Sequence, residues 1–385
     1  MKQEIISFLN SIENEIYDLC KFLYDNPEES YQEEKSSKYI CDLLEKYDFQ
    51  ITNNYLNIDN SFIATYGNDH PKICYLCEYD SVKDKGHITG HNALTSISVA
   101  ASLSLSKIIK KIGGSVILIG CPGEYLGGTK NIMTRQGVFD DIDIVMECHP
   151  HINTCESGTS KAIIALKVNY SGTSGLAFLN KNSYSSLDAL LIAINTINSL
   201  SKGFPDDVSL NYIISKGGYS PSLLPDECEA EFYIRADNTA TAEFIEHQLR
   251  EISYHISQLT GIECKTSLYE SPNEELITNR NLNRLFNHNL KEAGLINIDP
   301  PKNVNAGLSI GVVSKKVPCI HPYISMIDND STIKYGTREF ADSTISKFAL
   351  ENIIKSALAL AFTGSDIILK KHLLTEIQTE FYNKK

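Results

Sequence analysis

Three short segments of this chain carry side chains of the kinds that bind metal ions and move protons. Residues 86–92 read Gly-His-Ile-Thr-Gly-His-Asn, residues 120–130 read Gly-Cys-Pro-Gly-Glu-Tyr-Leu-Gly-Gly-Thr-Lys, and residues 147–151 read Glu-Cys-His-Pro-His. Imidazole nitrogens and carboxylate oxygens are zinc and manganese ligands, and a carboxylate can also relay protons as a general base. The three segments therefore contain the side-chain types from which a metal site with a general base could be built.

Buried strands and helices must hold these segments in place. Short apolar runs predict strands at 61–66, 73–77, 115–120 and 142–147. Helical spacing of apolar residues predicts helices at 4–23, 31–46 and 93–111. Asp80, Glu124 and His149 each follow one of the strands. Because open α/β sheets place their sites at the carboxyl ends of strands, we expect these side chains at one edge of the sheet.

The pattern changes in the middle of the chain. Strands are predicted at 162–169, 209–215, 228–235 and 262–269, with helices at 185–200 and 239–259. The order βαββαβ is that of a ferredoxin-like unit. Helical pattern resumes at 279–293 and 341–362. The sequence therefore predicts an α/β domain built from residues 1–161 and 274–385, with a smaller domain, 162–273, inserted in it.

Composition restricts the partners and the compartment. A chain of 385 residues exceeds the usual size of one core, and its net charge of −13 disfavours nucleic acid and anionic membranes as partners. No run reaches the ~20 apolar residues of a membrane helix, and acidic residues within the first helix argue against a signal peptide. The ten cysteines are interpreted as reduced, small core residues. We therefore expect a cytoplasmic protein with a small-molecule ligand.

The three segments, in this order, resemble those of the aminoacylase, hippurate hydrolase and carboxypeptidase-G family of dinuclear metallo-amidohydrolases. They are most similar to its branch that cleaves N-acyl amino acids and aminobenzoyl-glutamate, which usually reads Gly-His-Ala-Cys-Gly-His-Asn, then Pro-Ala-Glu-Glu with a glycine run, then His-Pro. The resemblance covers nearly the whole chain. It implies a two-domain zinc-exopeptidase-like fold, with a sheet flanked by helices, and an inserted ferredoxin-like domain that forms homodimers and closes over the site.

Several positions of this chain match functional positions of the family. The resemblance implies that Glu124 is the general base, that His91 and His149 are metal ligands, and that Asp80 orients a ligand histidine. It also implies that Arg235, at the end of strand 228–235, contacts the substrate. Without the motif, each of these residues would more simply be a core, turn or surface side chain.

Other functional positions of the family are changed. Thr89 stands in place of the bridging cysteine, Tyr125 in place of a ligand glutamate, and Gly336 in place of the C-terminal ligand histidine. A neutral hydroxyl and a phenol are poor metal ligands. In the inserted domain, Leu176 replaces a histidine and Ser222 an asparagine, both of which meet substrate in the family.

Three interpretations follow from these changes. The first is a protein with a dismantled dinuclear site that binds an amino-acid-like, N-acyl or peptidyl ligand in the cleft between its domains. The second is an enzyme with metal-independent or mononuclear amide or acyl-transfer chemistry, with Glu124 as acid and base. The third is a conventional amidohydrolase with substitute ligands, for which Cys121, Cys148 and His151 are the nearest candidates. The expected cofactor is none, or at most one divalent ion such as zinc or manganese.

Overall fold

The computed structural model describes residues 1–179, 183–328 and 332–383. The chain divides into two compact units. Unit 1 comprises Met1–Thr159, Leu276–Asn303 and Val312–Lys385, and unit 2 comprises Ser160–Glu275 and Val304–Gly311. The segment 304–311 is part of unit 2 although it lies far from it in sequence. The sequence predicts an α/β domain from residues 1–161 and 274–385 and an inserted dimerisation domain from residues 162–273. These boundaries and roles remain predictions.

The strands are numbered in chain order. They are β1 Gln50–Asn53, β2 Phe62–Tyr66, β3 Lys72–Cys77, β4 Ser115–Gly120, β5 Ile144–Met146, β6 His149–His151, β7 Ala162–Ser171, β8 Gly175–Leu176, β9 Ser209–Lys216, β10 Leu223–Leu224, β11 Glu227–Ala236, β12 Glu263–Leu268, β13 Cys319–Ile320 and β14 Tyr323–Ser325.

The helices are numbered in the same way. They are α1 Lys2–Ser11, α2 Glu13–Asp25, α3 Glu34–Glu45, α4 His91–Ile112, α5 Lys130–Arg135, α6 Ser186–Leu200, α7 Thr239–Thr260, α8 Arg280–Glu292, α9 Ile310–Ser314, α10 Arg338–Ser343, α11 Lys347–Leu369 and α12 Lys371–Asn383.

Unit 1 is built on a six-stranded sheet in the order β1-β2-β4-β3-β5-β13. Strands β3, β4, β5 and β13 run parallel, so their carboxyl ends meet at one edge. A separate parallel pair, β6 with β14, continues beyond β5 and β13. Helices α4 and α11 pack against each other in the core of the unit. Both are long and apolar enough by composition to span a bilayer, but 94% and 89% of their most apolar windows are buried in protein.

Unit 2 has a four-stranded antiparallel sheet in the order β12-β7-β11-β9. Helices α6 and α7 cover one face, with Leu190, Ile194, Ile245 and Leu249 in a core of their own. This is the βαββαβ arrangement that the sequence predicts. The α/β fold class with an inserted ferredoxin-like unit is confirmed.

The ends of two predicted helices differ from the structure. The first helix is interrupted at Ile12, whose φ of −110° is not helical, so 4–23 forms α1 and α2. The last predicted helix starts at Lys347 rather than 341 because the Ser346 side chain caps it by accepting from the Ala349 amide. Residues 338–343 form the short helix α10 instead.

Candidate active site

Acidic and histidine side chains converge at the carboxyl edge of the unit 1 sheet. Glu78 and Asp80 follow β3, Glu124 lies in a single helical turn after β4, and Glu147 follows β5. His149 begins β6. The ends of parallel strands bring these groups together from segments that are up to about seventy residues apart in the chain, as open α/β sheets do.

Asp80 holds the ring of His91, the first residue of α4. A hydrogen bond of 2.8 Å joins His91 Nδ1 to Asp80 Oδ1. Asp80 Oδ2 accepts from Ser30 Oγ at 2.7 Å and from the Tyr125 amide at 3.0 Å. Burial disfavours the charged imidazole, but the hydrogen bond and the charges of Asp80 and Glu78 outweigh it and raise the pKa of His91 to about 9.

A three-residue group of potential metal donors includes both predicted histidine ligands. Donor atoms of Glu78, His91 and His149 all lie within 4.8 Å of one another, and all three side chains are buried. His91 Nε2 is 3.2 Å from Glu78 Oε2. His149 Nδ1 bonds the Pro150 carbonyl at 2.9 Å, which leaves its Nε2 as the ligand atom. Within the described residues, Glu78 is the third member of this group, and Cys121, Cys148 and His151 are not part of it.

Lys130, the first residue of α5, lies at the centre of the carboxylate groups. Its side chain is fully buried and its Nζ pairs closely with Glu78 Oε1. The same Nζ lies 3.0 Å from Glu124 Oε1 and 3.7 Å from Glu147 Oε1. Burial alone would lower the pKa of Lys130, but the charges of Glu124, Glu147 and Glu78 raise it well above its usual value. Lys130 is therefore an ammonium ion inside the protein.

The acidic groups divide into charged and neutral forms. Burial opposes ionisation of Glu78, but the charges of Lys130, His91 and His149 lower its pKa. Burial, with Glu78 nearby, raises the pKa of Glu147 well above its usual value. A hydrogen bond with the neighbouring Glu78 carboxylate also favours the protonated form of Glu147.

Three positions at which the sequence departs from the family pattern, Thr89, Tyr125 and Gly336, carry no charged side chain in the structure. Thr89 Oγ1 and Tyr125 Oη hydrogen-bond each other, and the Tyr125 ring stacks on His91 with centroids 4.8 Å apart. Burial raises the pKa of Tyr125, which keeps its phenol neutral. Gly336 has φ of +81° and presents no side chain. Within the described residues, the one group of three potential metal donors consists of Glu78, His91 and His149.

The turn that carries Glu124 depends on two glycines. Gly123 has φ of +80°, and a Cβ there would meet the Tyr31 ring at 2.3 Å. Gly128 has φ of +67°, and a Cβ there would lie 2.7 Å from both carboxylate oxygens of Glu124. A larger residue at position 128 would push the Glu124 carboxylate away from Lys130, and one at position 123 would collide with the Tyr31 ring. Both glycines therefore allow close packing around the turn as well as its backbone conformation.

The remaining predicted residues lie in unit 2. Leu176 pairs with Leu223 between β8 and β10 and is 43% exposed. The Ser222 carbonyl accepts from the Ala177 amide. Arg235 donates to Asn211 at 2.7 Å, with its guanidinium over the ring of Tyr233.

Sequence reasoning missed four groups of this site. Glu78 and Lys130 lie within the segments Glu78-Tyr79-Asp80 and 120–130, but only their neighbours were selected. Glu147 was not selected although it precedes His149 by two residues. His321 follows β13, and its ring lies 5.3 Å from that of His149. Their position after a buried strand or beside a glycine run was the signal that could have found them.

Comparison with known proteins identifies relatives in both sequence and fold. Residues 158–257 match the family described as the peptidase dimerisation domain. The chain is 28% identical over 320 residues to a mouse (Mus musculus) Xaa-Arg dipeptidase, which covers 80% of this chain and 73% of that protein. It is 29% identical over 279 residues to one of the p-aminobenzoyl-glutamate hydrolase subunits of Escherichia coli (strain K12), which covers 64% of this chain and 56% of that protein. A dinuclear metal-binding M20 peptidase of Bacillus subtilis superimposes with a TM-score of 0.66 at 15% identity, over 92% of this chain and 99% of that one.

Proposed function

We propose that this chain, which resembles the aminoacylase, hippurate hydrolase and carboxypeptidase-G family, binds an amino-acid-type ligand beside a site for at most one divalent cation. The expected ligand is an N-acyl amino acid or a dipeptide. The protein does not hydrolyse this ligand by a two-metal mechanism. The observation that carries the proposal is the hydrogen bond between Thr89 and Tyr125, which occupies two family ligand positions with neutral groups.

The residues that would hold the single cation are Glu78, His91 and His149. A cation bound there supplies Lewis acidity to a carbonyl oxygen of the ligand. Asp80 fixes the His91 ring through Nδ1. Lys130 holds the Glu124 carboxylate next to the site. Zinc and manganese both accept this mixture of imidazole and carboxylate ligands.

A second candidate is amide hydrolysis or acyl transfer with Glu124 as acid and base. The names of the two relatives favour it, since they describe a dipeptidase and an amide hydrolase. The ion pair between Glu124 and Lys130 disfavours it, because an ammonium at 3.0 Å stabilises the carboxylate and weakens it as a base.

One experiment separates the two candidates. Purified protein is incubated with Xaa-Arg dipeptides, p-aminobenzoyl-glutamate and N-acetyl amino acids, and both hydrolysis and thermal shift are recorded. We expect ligand-dependent stabilisation without turnover. If turnover appears and Glu124→Gln lowers kcat by about 10²–10⁴-fold while leaving the thermal shift intact, Glu124 is the acid and base and the second candidate is correct.

We also propose that the protein is a homodimer through unit 2. Strand β9 is an edge of the unit 2 sheet, and its Ile213 and Ile214 are 60% and 44% exposed. An exposed edge strand with apolar side chains favours pairing with a second copy. The match to the peptidase dimerisation domain supports the same interface. A cytoplasmic location, supported by ten free cysteines, also remains a proposal.

Ile213→Asp is expected to convert this dimer into a monomer, because it places a charge on the apolar edge. The measurement is molar mass by light scattering after size-exclusion chromatography. Ile296→Asp is the matched control, since Ile296 is 71% exposed but lies in unit 1. A monomeric wild type, or a dimer that survives Ile213→Asp, would contradict the assignment.

A further inference from the structure

The buried ammonium of Lys130 stands among carboxyl groups that come from three different strand ends. Glu78 follows β3, Glu124 follows β4 and Glu147 follows β5, and each has an oxygen within 4 Å of Lys130 Nζ. The Lys130 side chain is 0% exposed. A lysine is almost never buried so completely unless it is paired. Its position is therefore set by these carboxyl groups.

Carboxyl groups in a dry site stay ionised only with a positive charge close to them, because otherwise they take up protons, as Glu147 does. Removing an ion from water costs several kcal/mol, which only close opposite charges can offset. A bound divalent ion is usually the largest local charge in such a site. Here the ammonium occupies that electrostatic position for Glu78 and Glu124, whereas Thr89, Tyr125 and Gly336 provide no anionic ligand for a second ion.

We propose that the Lys130 ammonium takes the place of a second metal ion in this site. It is a covalently attached cation that neutralises Glu78 and Glu124, and it leaves at most one position for a divalent ion, at Glu78, His91 and His149. The inference builds on the proposed single-cation site but makes its own claim about Lys130. If Lys130 were only a structural ion pair, its removal would destabilise the protein and a free cation would not restore stability. If Lys130 takes the place of a metal ion, a free cation should restore stability.

The test removes the ammonium and asks whether a soluble cation can substitute for it. In Lys130→Ala, the carboxyl groups remain and the space of the lysine side chain is vacated. We expect the melting temperature to fall by roughly 5–10 °C, because a buried pair has been broken. We expect Mn²⁺, Zn²⁺ or methylammonium to restore more than half of this loss. Native mass spectrometry should then count one more divalent ion in Lys130→Ala than in the wild type.

Two variants serve as controls. Lys38→Ala removes an exposed lysine that pairs with Asp42, and it should show neither the loss nor the rescue. Lys130→Met fills the space without a charge, so it should lose stability and show no rescue by cations. If Lys130→Ala does not fold, the double variant Lys130→Ala with Glu124→Gln removes one of the two charged partners of the lysine but keeps the vacated space, and it should still bind one more divalent ion than the wild type.

The outcomes distinguish this inference from the proposed function. Equal ion counts in Lys130→Ala and the wild type, or stability unaffected by added cations, would overturn the role of Lys130. Two ions per wild-type chain would overturn both proposals. A wild type with no ion, together with a variant that gains one, would rule out cation binding at Glu78, His91 and His149, which the proposed function allows but does not require, and would support the role of Lys130.

Discussion

His149→Gln is expected to lower the affinity of the protein for Zn²⁺ or Mn²⁺ by about 100-fold or more. Changes in residues that only orient ligands cost 10–100-fold, so the loss of a residue that we propose as a direct ligand should cost at least as much. His149 is one of the three residues of the donor group. Its Nδ1 is bonded to the Pro150 carbonyl, so it would bind the ion through Nε2, which the substitution removes. Isothermal titration calorimetry of metal-free protein gives the affinities.

His321→Gln is the matched control for this result. Its ring is buried and lies 5.3 Å from that of His149, but it is not a member of the donor group. We expect the affinity of the His321→Gln variant for Zn²⁺ or Mn²⁺ to stay within a few-fold of the wild-type value. Asp80→Asn should give an intermediate loss of 10–100-fold, because it frees the His91 ring without removing a ligand. Equal losses in His149→Gln and His321→Gln would mean that the histidines act through packing.

Glu33→Gln is expected to stabilise the protein above pH 7 by up to about 3 kcal/mol. Glu33 is fully buried, and burial raises its pKa to about 7 from an ordinary 4.5, a difference worth about that free energy. One oxygen accepts from the Gly123 amide at 2.8 Å, whereas the other has no hydrogen-bond partner in the described residues. The amide of glutamine keeps the first contact without a charge.

The pH dependence of this effect has a definite sign. The native state holds the Glu33 proton between about pH 4.5 and 7 while the unfolded state has released it, so the free energy of unfolding falls as pH rises through this window. Glu33→Gln should remove that part of the slope, leaving stability at pH 5 nearly unchanged. Urea unfolding at pH 5 and 8 measures both effects. Glu34→Gln, at an exposed neighbour, should change neither.

Much of the fold could be predicted because it depends on local patterns. Continuous apolar runs locate β2, β3 and β4 to within a residue, and the βαββαβ order identifies the inserted unit. Helix ends were harder, because they depend on single caps such as Ser346. Strands of two or three residues, such as β6 and β13, have too few residues for a pattern, and they form because neighbouring strands pair with them.

The candidate site was only partly visible in the sequence. Motif spacing selected Asp80, His91, Glu124 and His149, and the structure places all four at one sheet edge. It did not select Lys130, because a lysine after a glycine run is ordinarily a solvated charge. Its burial follows from α5 starting directly behind the turn that carries Glu124, so the side chain extends inward toward Glu78 and Glu147.

The sequence by itself determined which potential ligand groups stand at the family positions, since the absence of a thiolate at Thr89 and of a carboxylate at Tyr125 does not depend on folding. Only the tertiary structure decided how the remaining charges are balanced. Parallel strands bring Glu78, Glu124 and Glu147 to one edge from distant parts of the chain, and electrostatic energy in a dry site depends on distances of a few ångströms that sequence separation does not contain.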